Sequence, residues 1–140
     1  MNVFKTRAVK PQKFVLYADD DSDDKDWVSE AGKAVDGSLR LVFVENGRQV
    51  LEYLSQRGTE QYPSLIVLDL NMPELDGRQT LRRLKLHPDY KTIPVVIVTT
   101  STNKLDRDVC HQLGAALFLT KPDKHTDWQN VIRHLVPYVA

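Results

Sequence analysis

Apolar residues along this chain fall into five short runs, each followed by a stretch in which they recur at helical spacing. Phe14, Val15, Leu16, Tyr17 and Ala18 form the first run, ended abruptly by acids. Trp27, Val28, Ala31, Ala34 and Val35 then mark a helix, with Trp27 expected in its core face. Residues 39–44 read as a second strand, and Val50, Leu51 and Leu54 as a second helix that stops near Gly58. Leu65, Ile66, Val67 and Leu68 run without interruption into Asp69. Leu81 and Leu84 lie on a third helix, which ends before His87 because the residue preceding Pro88 avoids the helical region. Residues 94–99 form a fourth strand. Leu105, Val109 and Leu113 mark a fourth helix, closed by Gly114. Residues 115–119 form a fifth strand, and Trp128, Val131, Ile132, Leu135 and Val136 a strongly periodic last helix.

Strands this continuously apolar are covered on both faces, which implies a parallel sheet between helices. The expected fold is α/β, a doubly wound five-stranded parallel sheet in a (βα)5 three-layer sandwich. An eight-unit barrel does not fit 140 residues. The expected domain spans residues 14–140, preceded by a basic arm over 1–13 with Lys5, Arg7, Lys10 and Lys13.

In such sheets the site lies outside the carboxyl ends of the strands. There the chain places Asp19, Asp20 and Asp21 after strand one, Asp69 after strand three, Thr99 and Thr100 after strand four, and Lys121 with Pro122 after strand five. Carboxylates crowded there repel by about 4 kcal/mol per pair at 4 Å and an effective dielectric near 20. Protonation, a lysine or a divalent cation must offset this. Short hard-oxygen side chains suit Mg²⁺, which keeps positions open for phosphate oxygens. With Lys121 as a point charge and Thr99 as a hydroxyl donor, the set has what phosphoryl transfer requires, and Asp69 is the candidate nucleophile. Singly, each residue has a plainer reading as a cap, a strand residue or a solvated charge. Asp23 and Asp24 are read in that plainer way, as first-turn acids that favour the helix dipole.

Charge adds an exclusion. Nineteen basic and nineteen acidic residues cancel, giving no global reason to expect nucleic acid or a membrane as partner. No secretory leader or membrane-length apolar stretch is apparent, so the expected setting is cytoplasmic. Cys110 is the single cysteine and reads as a helix packing residue. His87, His111, His125 and His134 have no metal-ligand spacing.

With these motifs in place, the chain resembles the response-regulator receiver domain of two-component signalling. The resemblance rests on Asp19-Asp20, on 68–73 with Asp76-Gly77, on 98–101 and on Lys121-Pro122, in order, across about residues 14–136. The stretches 94–101 and 85–92 are similar to receivers paired with phytochrome-type kinases. The resemblance implies a flavodoxin-like fold, a phosphoacceptor at Asp69, and Mg²⁺ bound by Asp19, Asp20, Asp69 and the backbone carbonyl of Asn71. It further implies that Lys121 pairs with the phosphoryl group across a cis bond to Pro122, and that Thr99 swings inward with Phe118 following. For Phe118, plain core packing stays equally open. Asp123 departs from the apolar residue often found there, and Asn71 and Thr100 are placed to influence attack by water.

The implied donor is a sensor histidine kinase or a histidine phosphotransfer protein. The implied output is protein contact, a phosphorelay or a homodimer, from a single-domain switch that is not a turnover enzyme. A haloacid-dehalogenase-type phosphatase would need a second aspartate where Asn71 stands. A receiver-like module that no longer phosphorylates would have lost an acid, the threonine or the lysine. A nucleotide-binding flavodoxin-like protein would carry a glycine-rich loop after strand one.

Overall fold

The computed structural model describes residues 13–140; the arm expected over 1–13 therefore lies, Lys13 apart, outside the described residues. Five strands, β1 (Val15–Ala18), β2 (Leu41–Val44), β3 (Leu65–Leu68), β4 (Val95–Thr99) and β5 (Leu117–Thr120), form one sheet in the order β2-β1-β3-β4-β5. Every pairing is parallel, with Val15 opposite both Leu41 and Leu65. The helices are α1 (Ser22–Val35), α2 (Gly47–Ser55), α3 (Gly77–Leu86), α4 (Lys104–Gln112) and α5 (Trp128–Leu135). The expected doubly wound sandwich is thus the fold. The chain turns from β2 on one side of β1 to β3 on the other, which opens a crevice at the carboxyl ends of β1 and β3.

Alternation along the strands sorts the side chains into two layers. Val15 and Tyr17, Leu65 and Val67, and Val96 and Val98 pack beneath α1 and α5, against Val28, Ala31, Trp128 and Ile132. Leu16 and Ala18, Ile66 and Leu68, and Val95 and Ile97 face α2, α3 and α4, against Val50, Leu54, Leu81, Leu84 and Cys110. Trp128 is buried in the core, as its periodicity predicts.

One expectation fails on helical phase, and one residue that marks a helix lies off its buried face. Trp27 is 36% exposed and stacks on His125 at 5.9 Å, because α1 buries the stripe Asp24, Val28, Ala31 and Gly32, which rotates its neighbour Trp27 outward. Leu105 is 68% exposed, since α4 buries its face through Cys110 instead.

Each of the first four helices opens on a short polar cap. Asp21, Asn46, Asp76 and Asn103 accept hydrogen bonds from main-chain N–H groups of the first turn, and Asp76 completes a capping box with Gln79. These caps set where each of the four helices begins. Gly114 closes α4 at φ 106°, a left-handed conformation that glycine adopts without a side-chain penalty.

Candidate functional site

Main-chain bonds carry the sheet one residue past β1 and β3 and pin the two acids that follow. Asp19 N–H donates to Val44 O at 3.0 Å, and Asp69 N–H donates to Ala18 O at 3.2 Å. Lys121 N–H likewise donates to Thr99 O at 2.7 Å. Since Tyr17 and Val67 face the α1/α5 layer, pleat parity turns Asp19 and Asp69 toward the same side. Both are buried, at 0% and 6% exposure. An uncompensated pair of carboxylates there would be strongly unfavourable.

The compensation is the ammonium of Lys121. Its Nζ donates to Asp69 Oδ2 at 2.7 Å and to Asp24 Oδ2 at 2.6 Å, and it forms an ion pair with Asp19 Oδ2 at 3.0 Å. Burial alone would lower the lysine's affinity for its proton. The hydrogen bonds to Asp24 and Asp69 outweigh that, and its pKa is raised. Asp19 behaves oppositely. Desolvation pushes its pKa up to about 6, against the opposing pull of the Asp21 N–H bond and the ammonium. Three carboxylates surround one ammonium, leaving negative charge in excess.

Asp24 enters this pocket against the sequence reading, which took it for a plain first-turn acid. Its signal in the sequence is phase: Asp24 stands four residues before Val28 and seven before Ala31, on the buried stripe of α1. Asp21 turns out to be the cap that puts it there, accepting from the N–H groups of Asp23 at 2.9 Å and Asp24 at 3.2 Å. Asp23 is exposed and keeps the plain reading.

The other predicted residues divide. Asp20 is exposed at the rim of the crevice, beside Asp19. Asn71 comes to the site through its backbone, its N–H donating to Asp69 Oδ1 at 3.2 Å. Thr99 is fully buried, but β4 turns it toward the α2/α3/α4 layer with Val95 and Ile97, opposite to the acids. Its hydroxyl accepts from Ser101 N–H at 3.4 Å. Ser101 donates in turn to Asp106 at 2.7 Å, and Asp106 pairs with Arg78, so this loop is tied to both α4 and α3. Nothing local in the order of residues marks that tie. Phe118 is partly buried against the same layer, with the Arg107 guanidinium 5.6 Å from its ring centre. Thr100 and Asp123 are exposed. The bond between Lys121 and Pro122 is trans, as are all peptide bonds among the described residues, contrary to the expected cis form. Trans is the favoured isomer by about 0.5–1 kcal/mol, and Lys121 reaches the acids in it.

Gly77 holds the pocket floor in place. A Cβ there would lie 2.8 Å from Leu70 Cα and closer still to the main chain of Asp69, so the start of α3 can cross the Asp69 backbone only as glycine. Glu74, in the intervening loop, takes a left-handed φ of 67°. Its carboxylate accepts from Asn46 at 3.1 Å and from Arg48 at 3.0 Å.

The donor set fits a small hard cation. Asp19 Oδ2 is buried, has no partner among the described residues beyond its ion pair with Lys121, and converges with Asp69 on that ammonium. Among the described residues no group of three His, Cys, Asp or Glu side chains is arranged around a metal position; the lysine takes the space between the carboxylates.

The family model of the response regulator receiver domain matches residues 15–133 of this chain. The chain belongs to that family. As a receiver it is 37% identical over 114 residues to response regulator Rcp1 of Synechocystis, covering 79% of this chain and 78% of Rcp1. The solved Mn²⁺-bound form of Rcp1 superposes with a TM-score of 0.76 at 34% identity, covering 88% of this receiver and 91% of that chain. The phosphorylated cyanobacterial phytochrome response regulator RcpA gives a TM-score of 0.82 at 29% identity, over 91% and 94% of the two chains. The receiver therefore belongs to two-component signalling, and no helix among its described residues is long and apolar enough to cross a membrane.

Proposed function

We propose that this receiver takes a phosphoryl group from phosphohistidine onto Asp69. The donor is a sensor histidine kinase, of the phytochrome type by the chain's likeness to solved phytochrome response regulators, or a histidine phosphotransfer protein. One observation carries the reading: a buried ammonium at hydrogen-bond distance from Asp69, inside a pocket that remains negative around it.

Asp69 supplies the nucleophilic carboxylate oxygen. As its bond to phosphorus forms, the phosphorus–nitrogen bond of the phosphohistidine breaks with its electron pair staying on nitrogen, and the ring, protonated on its other nitrogen, leaves as neutral imidazole. Asp19, Asp20 and Asp69, with the backbone carbonyl of Asn71, would hold a Mg²⁺ ion. Bound there, it supplies the positive charge that lets an anionic nucleophile meet an anionic phosphoryl group. Lys121 is already within reach of a group on Asp69 and offers its ammonium to one phosphoryl oxygen. The Asn71 N–H holds the acceptor carboxylate in orientation.

Phosphorylation adds about 1.5 to 2 negative charges at the sheet edge. Thr99 then turns across the end of β4, releasing its bond from Ser101, and Phe118 moves into the space behind it. The surface of α4, β5 and α5 changes as a population shift between two packings. A downstream protein, a relay partner or a second copy reads that surface. In this reading the chain is a cytoplasmic switch that assists its own phosphoryl transfer and hydrolysis, not an enzyme that turns over a small substrate. Replacing Asp69 with Asn abolishes transfer of ³²P from a phosphohistidine donor. Labelling of Asp69→Asn at the wild-type rate would refute the assignment.

A further inference from the structure

Lys121 faces a conflict that the phosphoacceptor reading creates. Its ammonium lies on the same two carboxylates, Asp19 and Asp69, that would hold the divalent cation. A dication shared by those oxygens repels an ammonium on them. Without another partner the lysine must either compete with the metal or leave a buried position where 8% of its side chain is exposed. A free ammonium buried without an acceptor is strongly disfavoured.

Asp24 resolves the conflict. It is buried, it lies outside the metal set on a different element, and its 2.6 Å bond to Nζ is the shortest of the three contacts. Two features fix it there. Asp21 caps α1 so that Asp24 falls in the first turn, and Val28 and Ala31 seat the same stripe in the core. No other carboxylate of the neighbourhood substitutes, since Asp20, Asp23 and Asp123 are exposed.

Resting on the phosphoacceptor reading, we propose that Asp24 is a positioning residue: it holds the Lys121 ammonium when Asp19 and Asp69 are engaged by a divalent cation, so that metal and lysine occupy the pocket together. Its carboxylate keeps the lysine within reach of Asp69 while drawing it off the metal's oxygens.

The test is Mg²⁺ binding by the phosphate-free protein, followed by isothermal titration with magnesium chloride. Asp24→Asn leaves the lysine only the metal's own carboxylates, so the dissociation constant rises about fivefold or more, within the range of coupled neighbours. In a Lys121→Met background the same Asp24→Asn change moves it less than about twofold, because the competitor is gone. An equal weakening in both backgrounds shows that Asp24 contributes only its charge, and overturns the proposal, as does no weakening in either. Should Lys121→Met fail to fold, the Lys121 side-chain NMR signal at saturating magnesium decides. It stays dispersed in the wild type and collapses to the free-lysine position in Asp24→Asn; identical spectra overturn the proposal. Failure of the phosphoacceptor reading looks different, as a wild-type protein that neither binds magnesium nor takes label. Normal wild-type binding with an unaltered Asp24→Asn variant removes the role of Asp24 alone.

Discussion

Replacing Asp19 with Asn should make the metal-free protein more stable, although Asp19 stands at the centre of the site. Asp19 is fully buried, and desolvation holds its pKa at about 6 in the folded state against about 3.8 in the unfolded chain. That gap of about 2 units corresponds to about 3 kcal/mol by which folding disfavours the charged form. Solvent reaching the crevice and counter-ions reduce it, so the expected gain for Asp19→Asn near neutral pH is about 1–3 kcal/mol. The sign follows from proton binding. Between about pH 4 and 6 the folded protein keeps a proton that the unfolded chain has released, so this group's contribution to stability falls as pH rises through that window. Above about pH 7 the full cost is present; at pH 5 about half remains, and near pH 4 it is nearly gone. Asn mimics the protonated carboxyl and escapes the titration.

The measurement is urea unfolding with EDTA at pH 7.5, 5 and 4. Excess magnesium is expected to reverse the order, because its binding to the wild type would stabilise it by about 4.1 kcal/mol at a thousand times its dissociation constant. A variant no more stable than the wild type at pH 7.5, or a gain that does not shrink in acid, would refute the reasoning that desolvation dominates at this carboxylate.

Two further changes probe the frame around the site. Tyr17 lies two residues before Asp19 on the same strand face, and its hydroxyl is buried with no hydrogen-bond partner among the described residues. Its pKa lies well above the usual value, through burial first and then Asp19, Asp24 and Asp69. Tyr17→Phe removes the orphan group and should raise stability by up to about 1 kcal/mol; a loss above about 1 kcal/mol by urea unfolding would reveal a partner for that hydroxyl. Gly77→Ala drives a methyl group into the backbone of Asp69 and Leu70 and should cost about 2 kcal/mol or more by thermal unfolding, with slower phosphoryl acceptance. An unchanged melting temperature would show that α3 can shift freely off the backbone of Asp69 and Leu70.

Much of this molecule was legible in the order of its residues. Apolar runs long enough to be covered on both faces, alternating with helical stripes, determined a parallel sheet between two helical layers, because no other arrangement buries such strands. Given that sheet, the rule that sites lie at carboxyl ends brings Asp19, Asp69 and Lys121 to one edge. Geometry alone decided which side of the edge each side chain faces. Strand pleat separates Thr99 from the acids, although all end at the same rim. Helical phase exposes Trp27 and buries Asp24, a difference of three residues that composition cannot register. The ties from Ser101 to Asp106 and Arg78, and from Asp24 to Lys121, join residues far apart in the chain. Long-range polar pairs of this kind follow from packing, since nothing local in the sequence marks one charged residue as the partner of another.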